Sequence, residues 1–241
     1  MRERMRAKDI REFAKEKLKE NLKVLVLIQI IIVLITIGIT VWGNMFQRLI
    51  WFYDIELCDY RFAEMFLVYA FFAGITFAYF MCSVGLKPRV EDVFYVFLKK
   101  KKSILWVILR KCIMIQVYAA IFSFFGGLLG AILYVDSSPF ILTSSVLAVV
   151  IVELRYFPAI YLLIDGEEKE AKKAVWRGTD LMKGNYKRLI FLYLSFIPWM
   201  LLGVLTLGIG LFVVAAWLQI SMAVFYKDLK EQEKAKTGTA A

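Results

Sequence analysis

The chain has 241 residues; 61% are hydrophobic, 22% are charged, and the mean hydropathy is +0.66. Soluble domains are about 45–50% apolar, so the composition argues against a water-soluble globule. The sequence contains no histidine, which excludes imidazole bases, histidine metal ligands and Ser-His or Cys-His nucleophile systems. The formal net charge is +10; in a membrane chain such an excess reports orientation first, so nucleic acid is not the expected partner. Cys58, Cys82 and Cys112 are far apart and lack the CxxC spacing of zinc or redox sites, so no disulfide is expected.

The pattern predicts an all-α, polytopic membrane helix bundle of about six transmembrane helices with cytoplasmic amphipathic helices. In residues 1–23, Ile10, Phe13, Ala14, Leu18 and Leu22 recur at three- and four-residue steps among nine basic residues. This is the pattern of an interfacial amphipathic helix running into a first span. That span, Val24–Trp42, is 19 residues without a charge, about 28 Å at 1.5 Å per residue and close to the hydrocarbon thickness. Gln29 is its strongly polar side chain. No A-x-A cleavage site follows it, so it reads as a retained span.

Gly43–Arg61 is an outer loop in which Phe46, Leu49, Ile50, Trp51, Phe52 and Tyr53 precede Asp54, Glu56 and Asp59. Aromatic belts are common at membrane faces, so one reading is an interfacial helix anchoring the first hairpin. The other is a partner-binding surface formed by Trp51, Phe52, Tyr53, Asp54, Glu56 and Asp59. Met65–Leu86 is the second span, ended by Lys87-Pro88-Arg89. The third runs from Cys112 to Val135; upstream of it, Arg110 and Lys111 are expected at the interface with their stems snorkelling. A Ser137-Ser138-Pro139 turn leads into the fourth, Phe140–Ile164, which carries Glu153, Arg155 and Pro158. Residues 167–183 then read as a second surface helix, with Ala171, Ala174, Val175 and Met182 on its apolar face.

Between Arg188 and Lys227 lie 38 uncharged residues, enough for two spans near 189–206 and 209–226 with almost nothing left for a loop. The break falls at Leu205–Gly210, where two glycines permit a tight turn. That turn is apolar, so it is expected to be shielded by neighbouring helices. Four spans plus a re-entrant hairpin is the alternative. Residues 227–241 form a charged tail.

Of the 31 Lys and Arg residues, 26 fall in 1–23, 87–102, 165–188 and 227–241, against two, Arg48 and Arg61, on the opposite side. The split places both termini in the cytoplasm. A K-x-N-x-K-x-L pattern precedes two spans, at Lys19–Leu25 and Lys183–Leu189. It reflects either duplication of a unit or convergence on the requirements of inner-leaflet entry.

The run Ala174-Val175-Trp176 to Leu181-Met182-Lys183-Gly184-Asn185, with Leu194-Ser195-Phe196-Ile197, Leu202–Gly210 and Phe225-Tyr226-Lys227-Asp228-Leu229, resembles a known family. This is the uncharacterised bacterial integral-membrane family called domain of unknown function 975. Leu18-Lys19-Glu20-Asn21 is similar to that family's opening L-K-G-N pattern, with Glu20 in place of glycine. The resemblance is good over residues 170–230 and loose over the rest; Arg155–Asp165 retains only a proline-bearing helix ending in an I-D step. It implies a bacterial, polytopic protein of the cytoplasmic membrane. It brings no established activity and therefore no functional residues.

The sharpest chemical signal is Glu153 with Arg155. Counted back from Ile164, they lie about 16 Å and 13 Å into the fourth span, where each must face protein or water. Residues two apart on a helix point about 200° from one another, so each needs its own partner. Gln29, Gln116 and Gln219 sit at similar depths, and a polar cluster of these five is expected, either as a solute or ion site or as a hydrogen-bonded staple. Glu153 has no second carboxylate beside it in a span, no phosphate loop or metal cluster occurs, and neither enzymatic activity nor a cofactor is expected. The leading functional expectation is a scaffold, accessory or immunity-type factor that binds another membrane component. Anionic lipid at the cytoplasmic face, a membrane-protein partner or a second copy of the chain is its expected partner. The alternative is a small transporter or channel built around Glu153 and Arg155. Reporter fusions at Ala241 and within Asp54–Asp59 should give opposite signals; a periplasm-active reporter at Ala241 overturns the topology.

Overall fold

The computed structural model describes residues 5–52, 60–99, 102–133 and 138–237. Among these it is helical throughout, without strands: α1 (Ala7–Phe52), α2 (Tyr60–Ser83), a short 3-10 turn (Val90–Phe94) leading into α3 (Tyr95–Leu98), α4 (Lys102–Leu133), α5 (Ser138–Ile164), α6 (Ala171–Met182), α7 (Tyr186–Leu194), α8 (Ile197–Leu205) and α9 (Ile209–Thr237). Six helical segments are long and apolar enough to cross a membrane: those within α1, α2, α4, α5, α7–α8 taken together, and α9. The protein is a multi-pass membrane helix bundle.

Asn21 breaks α1 with non-helical angles (φ −127°, ψ 20°). Before it, Ile10, Ala14 and Leu18 are buried in the core. That part of the amphipathic segment therefore packs on its own bundle, while Phe13 and Leu22 of the same segment stay exposed. It is held there by polar contacts at several points. The Trp217 indole donates to the Arg11 carbonyl (2.9 Å), and the Arg11 guanidinium donates to the Ser195 carbonyl (3.0 Å). That second contact matters because α7 and α8 are two pieces of one crossing, interrupted at Ser195-Phe196 ahead of Pro198. A break in a membrane helix leaves carbonyls without partners, and Arg11 supplies one.

Asn185 stands between α6 and α7 as Asn21 stands between the two parts of α1, with φ −113° and ψ −4°. The two K-x-N-x-K patterns thus mark equivalent joints. A short amide side chain tolerates such angles and hydrogen-bonds locally, here from Asn185 to the Leu181 carbonyl (3.1 Å).

One end of the bundle is a helical collar. Lys227 reaches the Ser83 carbonyl (3.1 Å), Asn21 contacts the Cys82 sulfur (3.7 Å), and Met5 approaches Asp228 (3.4 Å), so Met5 and the later part of α9 lie at this end. It also carries an ion-pair lattice: Lys230 to Asp165 and Glu167, Arg177 to Glu168 and Glu233, and Arg188 to Asp228. The hydrogen bond from Lys230, opposed in part by burial, holds the Glu167 carboxyl below its ordinary range. We call this the basic end. Cys82 and Cys112 are both free and buried.

The collar reaches further along the helices than charge counting implies. Gly178 of α6 packs on Ala159 of α5, where a Cβ would lie 3.1 Å from the Ala159 nitrogen. In α2, a Cβ on Gly74 would lie 1.9 Å from the Val93 carbonyl oxygen, so the 90–98 segment climbs back beside α2 and stacks Tyr95 on Phe77 (3.7 Å).

At the opposite end, α8 turns into α9 through Leu207 (φ 55°) and Gly208 (φ 84°). Thr206 accepts from the Gly210 amide (2.9 Å) and donates to the Gly203 carbonyl (2.8 Å). The expected shielding of this turn is not found, since Leu207 is 94% exposed and Ile209 72%. The turn satisfies its polar groups internally instead, through Thr206.

Gly74→Ala should lower the thermal stability of the detergent-purified protein by about 2 kcal/mol or more, through overpacking against backbone that cannot yield. Gly127, with open space where a Cβ would sit, should accept alanine without loss. Equal behaviour of the two variants in thermal unfolding would refute the close approach.

Candidate intramembrane site

Glu153 faces the interior of the bundle and meets Lys111 of α4, with Nζ 2.7 Å from Oε1. Lys111 is buried, whereas the Glu153 side chain keeps 38% exposure. The expectation that Lys111 snorkels to the interface is therefore corrected. Arg110 and Lys111 are neighbours about 100° apart on a helix, so one face cannot serve both. Arg110 stays half-buried beside α6, and Lys111 turns inward. Its ammonium also lies 4.2 Å from the centre of the Tyr69 ring, and the Tyr69 hydroxyl hydrogen-bonds Glu153. One buried cation thus has a carboxylate and an aromatic face, which together offset its desolvation.

The other expected members of the cluster are dispersed. Gln219 of α9 lines the same cavities as Glu153. Gln29 instead accepts from the Tyr79 hydroxyl (3.1 Å), away from the cavity lining. Gln116 is exposed on another face of α4. Arg155 is exposed and lines neither cavity that Glu153 borders, as two positions about 200° apart on one helix require. On the first hairpin, Trp51 and Phe52 end α1, while Tyr53, Asp54, Glu56 and Asp59 lie outside the described residues.

Two cavities meet at Glu153. A wide one of about 540 Å³ opens towards the end opposite the collar. Its walls include Thr36 and Thr40 of α1, and Arg61 and Glu64 of α2; Thr40 donates to Glu64 (2.7 Å). A narrow one of about 150 Å³ continues towards the basic end past Tyr156, Phe157 and Tyr161. Tyr69, Phe72, Glu153, Tyr193 and Gln219 line both, so they form the junction.

Below the junction the path is closed. Tyr161 stacks on Tyr226 (5.1 Å), and Phe80, Phe157 and Phe225 pack around them. Beyond this plug the Tyr226 hydroxyl contacts Asp165 (3.4 Å), where the ion-pair lattice begins.

Sequence reasoning missed Lys111, Tyr69 and Tyr193. The available signal was charge balance: a carboxylate at half depth in one helix requires a cation in its neighbour, and Lys111 is the inward residue of the Arg110-Lys111 pair.

The fold and site define a polytopic membrane bundle with a charged pair at the floor of an internal cavity. The chain matches the model of the family described as protein of unknown function, DUF975, over residues 1–233, and it belongs to that family. No curated protein and no solved structure matches it.

Removing one member of a buried pair leaves the other charge uncompensated, at about 3 kcal/mol. Glu153→Gln orphans the buried ammonium and should cost more than Lys111→Met, which orphans a carboxylate open to the cavity. The double variant should recover part of the loss. Strictly additive losses in thermal unfolding would show that the two do not share an interaction.

Proposed function

We propose that this protein binds a small ammonium-bearing solute inside the membrane and passes it across the bilayer, acting as a transporter rather than as an enzyme. In this proposal the bundle sits in a bacterial cytoplasmic membrane with its basic end inside, and the wide cavity faces outward. The observation that carries the reading is the Glu153 carboxylate, half exposed where two cavities meet, with Lys111 buried behind it.

An organic ammonium entering past Arg61 and Glu64 meets, at the junction, a carboxylate flanked by the rings of Tyr69, Phe72 and Tyr193. Carboxylate and aromatic faces together suit such a cation. Competition with Lys111 for Glu153 links solute binding to rearrangement of α4 against α5. The aromatic plug and the ion-pair lattice are the barrier that rearrangement has to open. Intramembrane ionisable residues facing a cavity are characteristic of solute pathways. The scaffold reading draws less support, because the amphipathic N-terminal segment packs Ile10, Ala14 and Leu18 on its own bundle.

The test is a thermal-stabilisation screen of the purified protein with primary amines, quaternary amines and amino acids, followed by uptake of any stabilising compound into proteoliposomes. Stabilisation and saturable uptake are expected in the parent, with both lost in the folded Lys111→Met/Glu153→Gln double variant. Stabilisation without uptake would indicate a binding protein that does not transport. No stabilisation by any compound, or identical behaviour of the double variant, would sink the proposal.

A further inference from the structure

We propose that the cleft between the start of α4 and α6 is a binding site for the headgroup of an anionic phospholipid. It is separate from the cavity at Glu153, and the proposal stands whether or not that cavity carries a solute.

The cleft has a volume of about 520 Å³ and gathers Lys102, Arg110, Lys169 and Lys172. None of these four forms an ion pair among the described residues. Its single acidic wall residue, Glu170, is engaged by Lys173 (3.1 Å). The contrast with the rest of α6 is instructive, because Arg177 faces Glu167, Glu168 and Glu233. This short helix thus has one compensated side and one where four cations converge with a single carboxylate, itself paired to Lys173. The first-turn amides of α6, which receive no side-chain cap, lie along the same cleft and add partial positive charge. The cleft is also held in shape: the Ser103 hydroxyl donates to the Lys169 carbonyl (2.7 Å), tying the first turn of α4 to the approach to α6.

An amphiphile fits better than free phosphate. Lys102, Trp106 and Arg110 recur every four residues and form one stripe of α4. The Trp106 ring, 63% exposed, stands between the two cations, where indoles mark the membrane–water boundary. Val107 and Val175 supply an apolar wall. Beyond Arg110 the same stripe continues through exposed Ile113, Val117 and Ile121. A phosphodiester in the cleft therefore has a matching path for its acyl chain along α4. Basic pockets between helices at a membrane face are suited to this recognition.

The experiment compares thermal unfolding of the full chain in nanodiscs of phosphatidylcholine alone and of phosphatidylcholine mixed equally with phosphatidylglycerol. Phosphatidylglycerol should raise the midpoint of the parent by several degrees. Lys102→Gln/Lys169→Gln/Lys172→Gln should abolish that rise. Lys19→Gln/Lys23→Gln/Lys87→Gln, which removes the same charge elsewhere at the basic end, should keep it. Should the cleft triple variant fail to fold, Lys172→Gln alone, at an exposed position, should still lose part of the rise. Sodium phosphate or glycerol 3-phosphate added to phosphatidylcholine discs should leave the midpoint unchanged. An equal rise with those soluble anions, an undiminished rise in the cleft variants, or an equal loss in the control variant would overturn the proposal.

Discussion

Within a bilayer, apolar side chains gain nothing by leaving lipid for one another, so a membrane bundle needs another source of cohesion. In this protein that source is the collar. Part of the buried core lies there: Ile10, Ala14 and Leu18 from the N-terminal segment, Ala174 and Met182 from α6, and Phe225, Tyr226 and Leu229 from α9. These are faces of elements with a polar side, and the hydrophobic effect acts on them as it does in a soluble domain. Towards the other end the same helices present Leu34, Ile37, Phe124, Leu142 and Val146 outward, each well exposed. The molecule is tight where it meets water and charge, and open where lipid is its solvent.

That asymmetry makes room for the cavity. The two cavities that share Glu153 in their lining differ in volume, about 150 Å³ on the collar side and about 540 Å³ on the other. Lys111 and Glu153 sit where the two cavities meet, on the collar side of the open volume. The position also explains why an ion pair is tolerated there. Tyr69 contributes both its ring to the ammonium and its hydroxyl to the carboxylate, so neither charge depends on one partner.

The two joints at Asn21 and Asn185 show how a local pattern becomes architecture. Each ends an amphipathic helix and starts a span, and each is bordered by lysines. Their surroundings differ: Asn21 meets the Cys82 sulfur, and Asn185 is locked between the Leu181 carbonyl and Arg188. The shared residue type answers a shared backbone need, a change of direction without a cap. The neighbours are supplied separately by the fold.

The sequence alone carried the helical class, the number of membrane-length segments, the amphipathic helices and the position of the α8–α9 turn. All of these rest on hydropathy and periodicity, which act locally along the chain. It also singled out Glu153 and Gln219. Tertiary structure decided the rest. Lys111 turns inward and Arg155 outward because helix rotation is set by packing, which hydropathy does not encode. Leu207 is left bare because shielding depends on which elements stand beside the turn, and packing alone decides that. Local chemistry determines which segments enter the membrane; only the packed collar determines which of their faces meet.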